Sequence, residues 1–135
     1  MRGAPAGVVA AGAWAAGEPI LRRLVATPYS DIRLLGRLVR RDRGWRVAGL
    51  ALHMANGAAF GAAFERAGLS GVRAGLAAAQ LENLALWPAL AVMDRIHPDR
   101  REGNWPRLVT NRRVILHELI AHGLFGAVLG TLVRR

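Results

Sequence analysis

Five ionisable side chains that could do chemistry stand where a chain normally avoids charge. Glu18, His53, Glu82, Glu118 and His122, with His117 beside them, lie in stretches otherwise almost free of charge, the clearest being 47–64, 74–93 and 114–133. An ionised group inside an apolar span costs roughly 2.5–3.5 kcal/mol on insertion scales, so it turns to the bundle interior or to water and pairs with something. Carboxylates and imidazoles placed this way can do three things. They can hydrogen-bond across helices and fix which helices pair, the leading reading. They can relay protons or coordinate an ion on a transport path. Or they can ligate a metal, with Glu18, His53, Glu82, Glu118 and His122 as the ligand set, as carboxylates do in four-helix bundles. That last pattern is incomplete: Met54 stands where a second Glu would pair with His53.

The run His117-Glu118-Leu119-Ile120-Ala121-His122 invites comparison with the zinc-protease HExxH motif. At 100° per residue, four-residue spacing leaves two His about 40° apart around a helix, and five-residue spacing about 140°. His117 and His122 therefore cannot share one zinc on an unbroken helix, whereas Glu118 and His122 share a face. No Gly-rich phosphate loop, Ser nucleophile elbow or Cys/His pair accompanies them, so no catalytic residue and no organic cofactor is expected. His97, in Ile96-His97-Pro98-Asp99, reads as a solvated loop residue.

The elements that must position these groups follow from length. About 20 residues of helix, at about 1.5 Å each, cross the ~30 Å hydrocarbon core of a bilayer. Helices are expected at about 4–24, 46–65, 71–94 and 113–133. The fold expected is all-α: four transmembrane helices in one membrane domain over 1–135. Sliding the chain by 64 residues aligns Glu18 with Glu82, and His53-x3-Gly57-x3-Gly61 matches His122-x3-Gly126-x3-Gly130 once the second loop is lengthened. Two two-helix repeat units, about 4–65 and 71–133, are the expectation. Gly57, Gly61, Gly126 and Gly130 each remove a side chain from one helix face, which suits close packing where lipid is as apolar as leucine.

Ser30 and Asp31 are cap candidates for a short amphipathic helix. Its Ile32, Leu34, Leu35 and Leu38 alternate with Arg33, Arg37, Arg40 and Arg41, as in a helix lying in the membrane interface. The loop with Pro98, Gly103, Asn104 and Pro106 reads as irregular.

All 19 basic residues are Arg, which with the Ala and Gly excess points to a GC-rich, bacterial genome; the net charge is +10. Eight arginines fall in 22–46 and six in 94–113. Under the positive-inside rule both loops are cytoplasmic and both termini outside, in the bacterial inner membrane. With no Cys there is no disulfide or thiolate site. Ala13-Trp14-Ala15 has the form of a cleavage signal, but the run before it is short, and the segment is expected to be kept.

The apolar helix ending in Gly17-Glu18-Pro19, the His-x3-Gly-x3-Gly helix, Gly75-Leu76-Ala77 leading to Trp87-Pro88, and the last helix with Glu118 and His122-Gly123 together resemble the YagU-type bacterial inner-membrane proteins. The resemblance implies location and helix count, with Glu18 and His122 as shared intramembrane polar positions. The expectation is a non-catalytic accessory, assembly or transport-related component. Its partners are the lipid bilayer and further copies or a larger membrane complex. The alternatives are an intramembrane Glu/His site for protons, ions or a metal ion, and a soluble Arg-rich nucleic-acid-binding domain.

Overall fold

The computed structural model describes residues 1–134, and these form six helices with no strand among them. They are α1 (Gly3–Leu24), α2 (Asp31–Val39), α3 (Trp45–Arg66), α4 (Val72–Ile96), α5 (Pro98–Arg101) and α6 (Arg112–Leu132).

The expected four transmembrane helices in two-helix units are corrected on two counts. Three helices, α3, α4 and α6, are long and apolar enough to cross a membrane. α1 has the length but is built mainly of Ala and Gly, and carries Pro5, Glu18, Pro19, Arg22 and Arg23, so its sequence offers too little apolar surface. In addition, the second stretch read as a two-helix unit holds a further short helix, α5, whereas α2 in the first is the short helix expected after Ser30. The second loop is thus not wholly irregular: Pro98 at the first helical position and His97 as cap start a single turn.

Small residues set the packing. α1 runs against α3 and α4 against α6, and contact between α1 and α6 joins the two pairs. Gly3 and Gly7 meet the carbonyls of Gly61 and Gly57, and Gly75 meets Gly126 and Gly130, so near that a side chain at any of them would overlap backbone. The α1 N-terminus is closed from α3, where Glu65 Oε2 accepts from the Gly3 N–H at 2.8 Å. A carboxylate there also answers the positive end of the helix dipole.

α2 is seated by the same device, Gly36 against the Trp45 carbonyl and Gly49 against the Ile32 carbonyl. Its start is fixed by Ser30 Oγ, which accepts from the Arg33 N–H at 3.1 Å. Its cationic face turns to the second loop, where fully buried Asp99 accepts from Arg33 Nε (2.9 Å) and Nη2 (2.6 Å), Arg37 Nη1 (2.7 Å) and Asn104 Nδ2 (2.9 Å). These bonds hold both basic loops at one end of the bundle and set the position of Asp31.

His97, expected to be solvated, is fully buried. Its ring stacks on Trp105 with centroids 4.6 Å apart; Nδ1 accepts from the Asp99 N–H, and Nε2 bonds the Leu34 carbonyl. The ring is therefore neutral and protonated at Nε2. It lost its solvent because the turn of α5 folds back under α2, a long-range contact that loop composition does not encode.

Both groups make the loops acid-sensitive. Burial pushes the His97 pKa down. Burial alone would raise Asp99, but hydrogen bonds from Arg33 and Asn104 and the charges of Arg33 and Arg37 hold it below the usual carboxylate range. For both, the unfolded chain binds more protons, so the stability each contributes is present at higher pH and lost on acidification. The expected loss begins below about pH 6.5 for His97 and steepens below about pH 4 for Asp99. It is read from the emission that disappears in Trp105→Phe. A signal unchanged between pH 7 and 3.5 would contradict this arrangement.

Candidate functional site

α3 and α4 make no substantial contact with each other, and a cleft of about 620 Å³ lies between them. Its walls are mostly apolar, from Leu34 and Leu38 of α2 to Leu52 of α3 and Leu86 and Leu90 of α4. Polar groups reach it from every side: His53 and Asn56, Glu82 and Asn83, and Asp31, Glu118 and His122. A smaller hollow of about 240 Å³ lies between α1 and α6, lined by Glu18, Leu21, Leu24 and Ile120. Trp14 lines both.

Between the two hollows sits a buried acid and imidazole cluster. Glu18 of α1, Asp31 of α2 and His117 of α6 each bring one oxygen or nitrogen to within 4.8 Å of the other two. His117 Nδ1 stands 3.1 Å from Glu118 Oε1 and 3.8 Å from Asp31 Oδ2. Tyr29, fully buried, donates its hydroxyl to Asp31 Oδ1 at 2.9 Å. Burial pushes the Asp31 carboxyl well above its ordinary range, with the Glu118 charge adding to the shift. The Tyr29 hydroxyl is raised by burial and then by the Asp31 charge. Asp31 Oδ2, Glu18 Oε2 and His117 Nε2 have no hydrogen-bond partner among the described residues.

The residues singled out from sequence are divided. Glu18 and Glu118 belong to the cluster. His122 lies one turn beyond Glu118, its Nδ1 2.9 Å from the Glu118 carbonyl oxygen and 3.8 Å from Oε2. His53 bonds the Ala11 carbonyl at 3.2 Å, and Trp14 separates it from His122, with ring centroids at 5.0 and 4.7 Å. Glu82 faces the cleft from α4, with Asn56 of α3 on the cleft's other wall. Gly57, Gly61, Gly126 and Gly130 stand at the helix contacts described above.

Asp31 and His117 escaped the sequence reading as site residues. Asp31 looked like part of a helix start, which it also is. His117 does not share the His122 face, and its own face is the one that meets Asp31 of α2 and Glu18 of α1. No protein family, curated protein or solved structure matches this chain.

Proposed function

We propose that this chain is a small non-catalytic component of the bacterial cytoplasmic membrane, accessory to assembly or transport, with its basic loops on the cytoplasmic face. The observation that carries the reading is the inverted polarity of the molecule. Val47, Leu81, Leu84, Leu86, Val92, Leu116, Leu119 and Ile120 are exposed, whereas Glu18, Asp31, His53, Asn83, His117, Glu118 and His122 are buried. In water, so much contiguous apolar surface is uncommon and drives aggregation; in lipid it costs nothing. The arrangement weighs against a soluble nucleic-acid-binding domain, which needs the opposite. The clustering of most arginines in two loops joined by the Arg33–Asp99 bridge supports the orientation.

A second reading, an intramembrane site for protons or ions, is favoured by the buried cluster lying between two hollows. Glu82→Gln and His122→Gln separate the two. On the first reading, proteoliposomes of the native chain pass protons no faster than empty vesicles, and His122→Gln lowers stability in detergent by about 1 kcal/mol through the lost edge contact of its ring with Trp14 of α1. On the second, both variants stay folded and a proton or cation flux present in the native protein drops at least tenfold. Recovery of the native chain in the soluble fraction, without detergent and after cell breakage, would overturn both.

A further inference from the structure

We propose that Glu18, Asp31 and His117 form a binding site for one divalent first-row transition-metal ion. The inference narrows the ion-handling reading above and rests on it. Its ligand set differs from the one spacing suggested: Asp31 and His117 enter, and His53, Glu82, Glu118 and His122 stay out.

Three features of the cluster point to a cation. The first is convergence: two successive helices, α1 and α2, and the distant α6 each deliver one ligand atom, all within 4.8 Å of one another, and the residues are buried. Metal–oxygen and metal–nitrogen bonds near 2.0–2.2 Å bring ligand atoms within about that span of each other after small side-chain adjustments. The second is an imbalance of hydrogen-bonding groups. Glu18 Oε2 and His117 Nε2 are buried without partners, and Asp31 Oδ2 has no donor beyond the neighbouring Glu118 carboxyl. Arg22, four residues after Glu18, donates to the Pro28 carbonyl. Buried acceptors left unmatched are costly, and a single dication answers several at once.

The third feature is the outer support. Glu118 Oε1 lies 3.1 Å from His117 Nδ1, and the Tyr29 hydroxyl donates to Asp31 Oδ1. A hydrogen bond on the second oxygen of a ligating carboxylate is one way proteins orient metal ligands, and Glu118 steadies the His117 ring through Nδ1, the nitrogen that also stands 3.8 Å from Asp31 Oδ2. Two carboxylates and one imidazole suit Zn²⁺, Mn²⁺, Fe²⁺ or Co²⁺ rather than Ca²⁺, which takes six to eight oxygens, or soft Cu⁺. Three protein ligands leave coordination positions for water or a further group. Asp31 and Glu118 border the larger hollow and Glu18 the smaller one, so the site has an approach from each.

The test uses the full chain in detergent, stripped with EDTA and reloaded with Zn²⁺ or, for its visible spectrum, Co²⁺. One equivalent bound per chain, a raised melting temperature reversed by EDTA, and a Co²⁺ spectrum carrying carboxylate and imidazole ligation are the expected results. Asp31→Asn, Glu18→Gln and His117→Gln weaken binding at least tenfold, while His53→Gln changes it less than twofold. Should Asp31→Asn fail to fold for want of its role at the start of α2, Glu18→Gln decides, because it conserves size and lies outside the start of α2. Absence of stoichiometric binding, or binding indifferent to Glu18→Gln and His117→Gln, overturns the proposal. Proton flux that depends on Glu82 and His122, with no metal bound, overturns it while leaving the ion-handling reading in place.

Discussion

Gly57→Val and Gly126→Val will each prevent the native helix pairs from closing. A Cβ added at Gly57 would stand 2.6 Å from both Ala11 Cβ and the Gly7 carbonyl oxygen, and one at Gly126 would stand 2.9 Å from Ala79 Cβ with the Gly75 carbonyl nearer still. These are backbone obstacles, so no rotamer change relieves them; the helices have to separate. Overpacking ordinarily costs about 1–3 kcal/mol, and backbone separation along a whole seam places valine at or above the upper end. Against a stability of only about 5–15 kcal/mol, that is a large fraction. The measurement is the midpoint of unfolding in mixed micelles, with Gly17→Ala and Gly123→Ala as comparisons. Their added methyls meet nothing nearer than 3.5 Å, Leu124 Cδ2 for the first and Gln80 Nε2 for the second, and both are expected to fold normally. Equal behaviour of the two pairs of variants would refute the tight-seam geometry.

Asp99→Ala is the second large effect, expected to cost about 3 kcal/mol. Asp99 is fully buried and anchors Arg33 and Arg37, whose side chains are 32% and 11% exposed. Removing one partner of a buried pair typically costs about 3–5 kcal/mol because the other charge is stranded; the partial exposure of Arg33 brings the figure to the lower end. Arg40→Ala, which breaks only the exposed pair with Asp42, should leave the unfolding midpoint unchanged, since solvent and salt screen such a pair. Amide exchange over 31–39 and 97–105 tells the two apart: Asp99→Ala frees both segments together. Protection retained in α2 would show that its glycine contact with α3 suffices without the ion pairs.

How much of this was legible in the sequence follows from the range of the interactions involved. Helix positions were legible, since long apolar runs bounded by Arg clusters leave little choice: 46–65 became Trp45–Arg66 and 113–133 became Arg112–Leu132. The number of spanning helices was not, because α1 has the length of a span but spends its composition on the Ala and Gly that let α3 approach. The burial of Glu18 and Glu118 could be expected from the cost of charge in an apolar span. Their partners could not. Asp31 and His117 are drawn to Glu18 by the seating of α2 on α3 and of α1 on α6, two long-range contacts that no spacing within one helix reveals. His97 escaped for the same reason, its burial coming in part from Leu34, 63 residues away, and in part from Trp105 across the turn of α5.

That the outward apolar face meets lipid is most directly tested by a spin label at Leu84→Cys, a position 71% exposed on α4 in a chain with no other cysteine. In liposomes the expected result is high collision frequency with oxygen and little with a water-soluble nickel chelate. Ready access of the chelate to this position, equal to that of a label in the 40–43 loop, would contradict it.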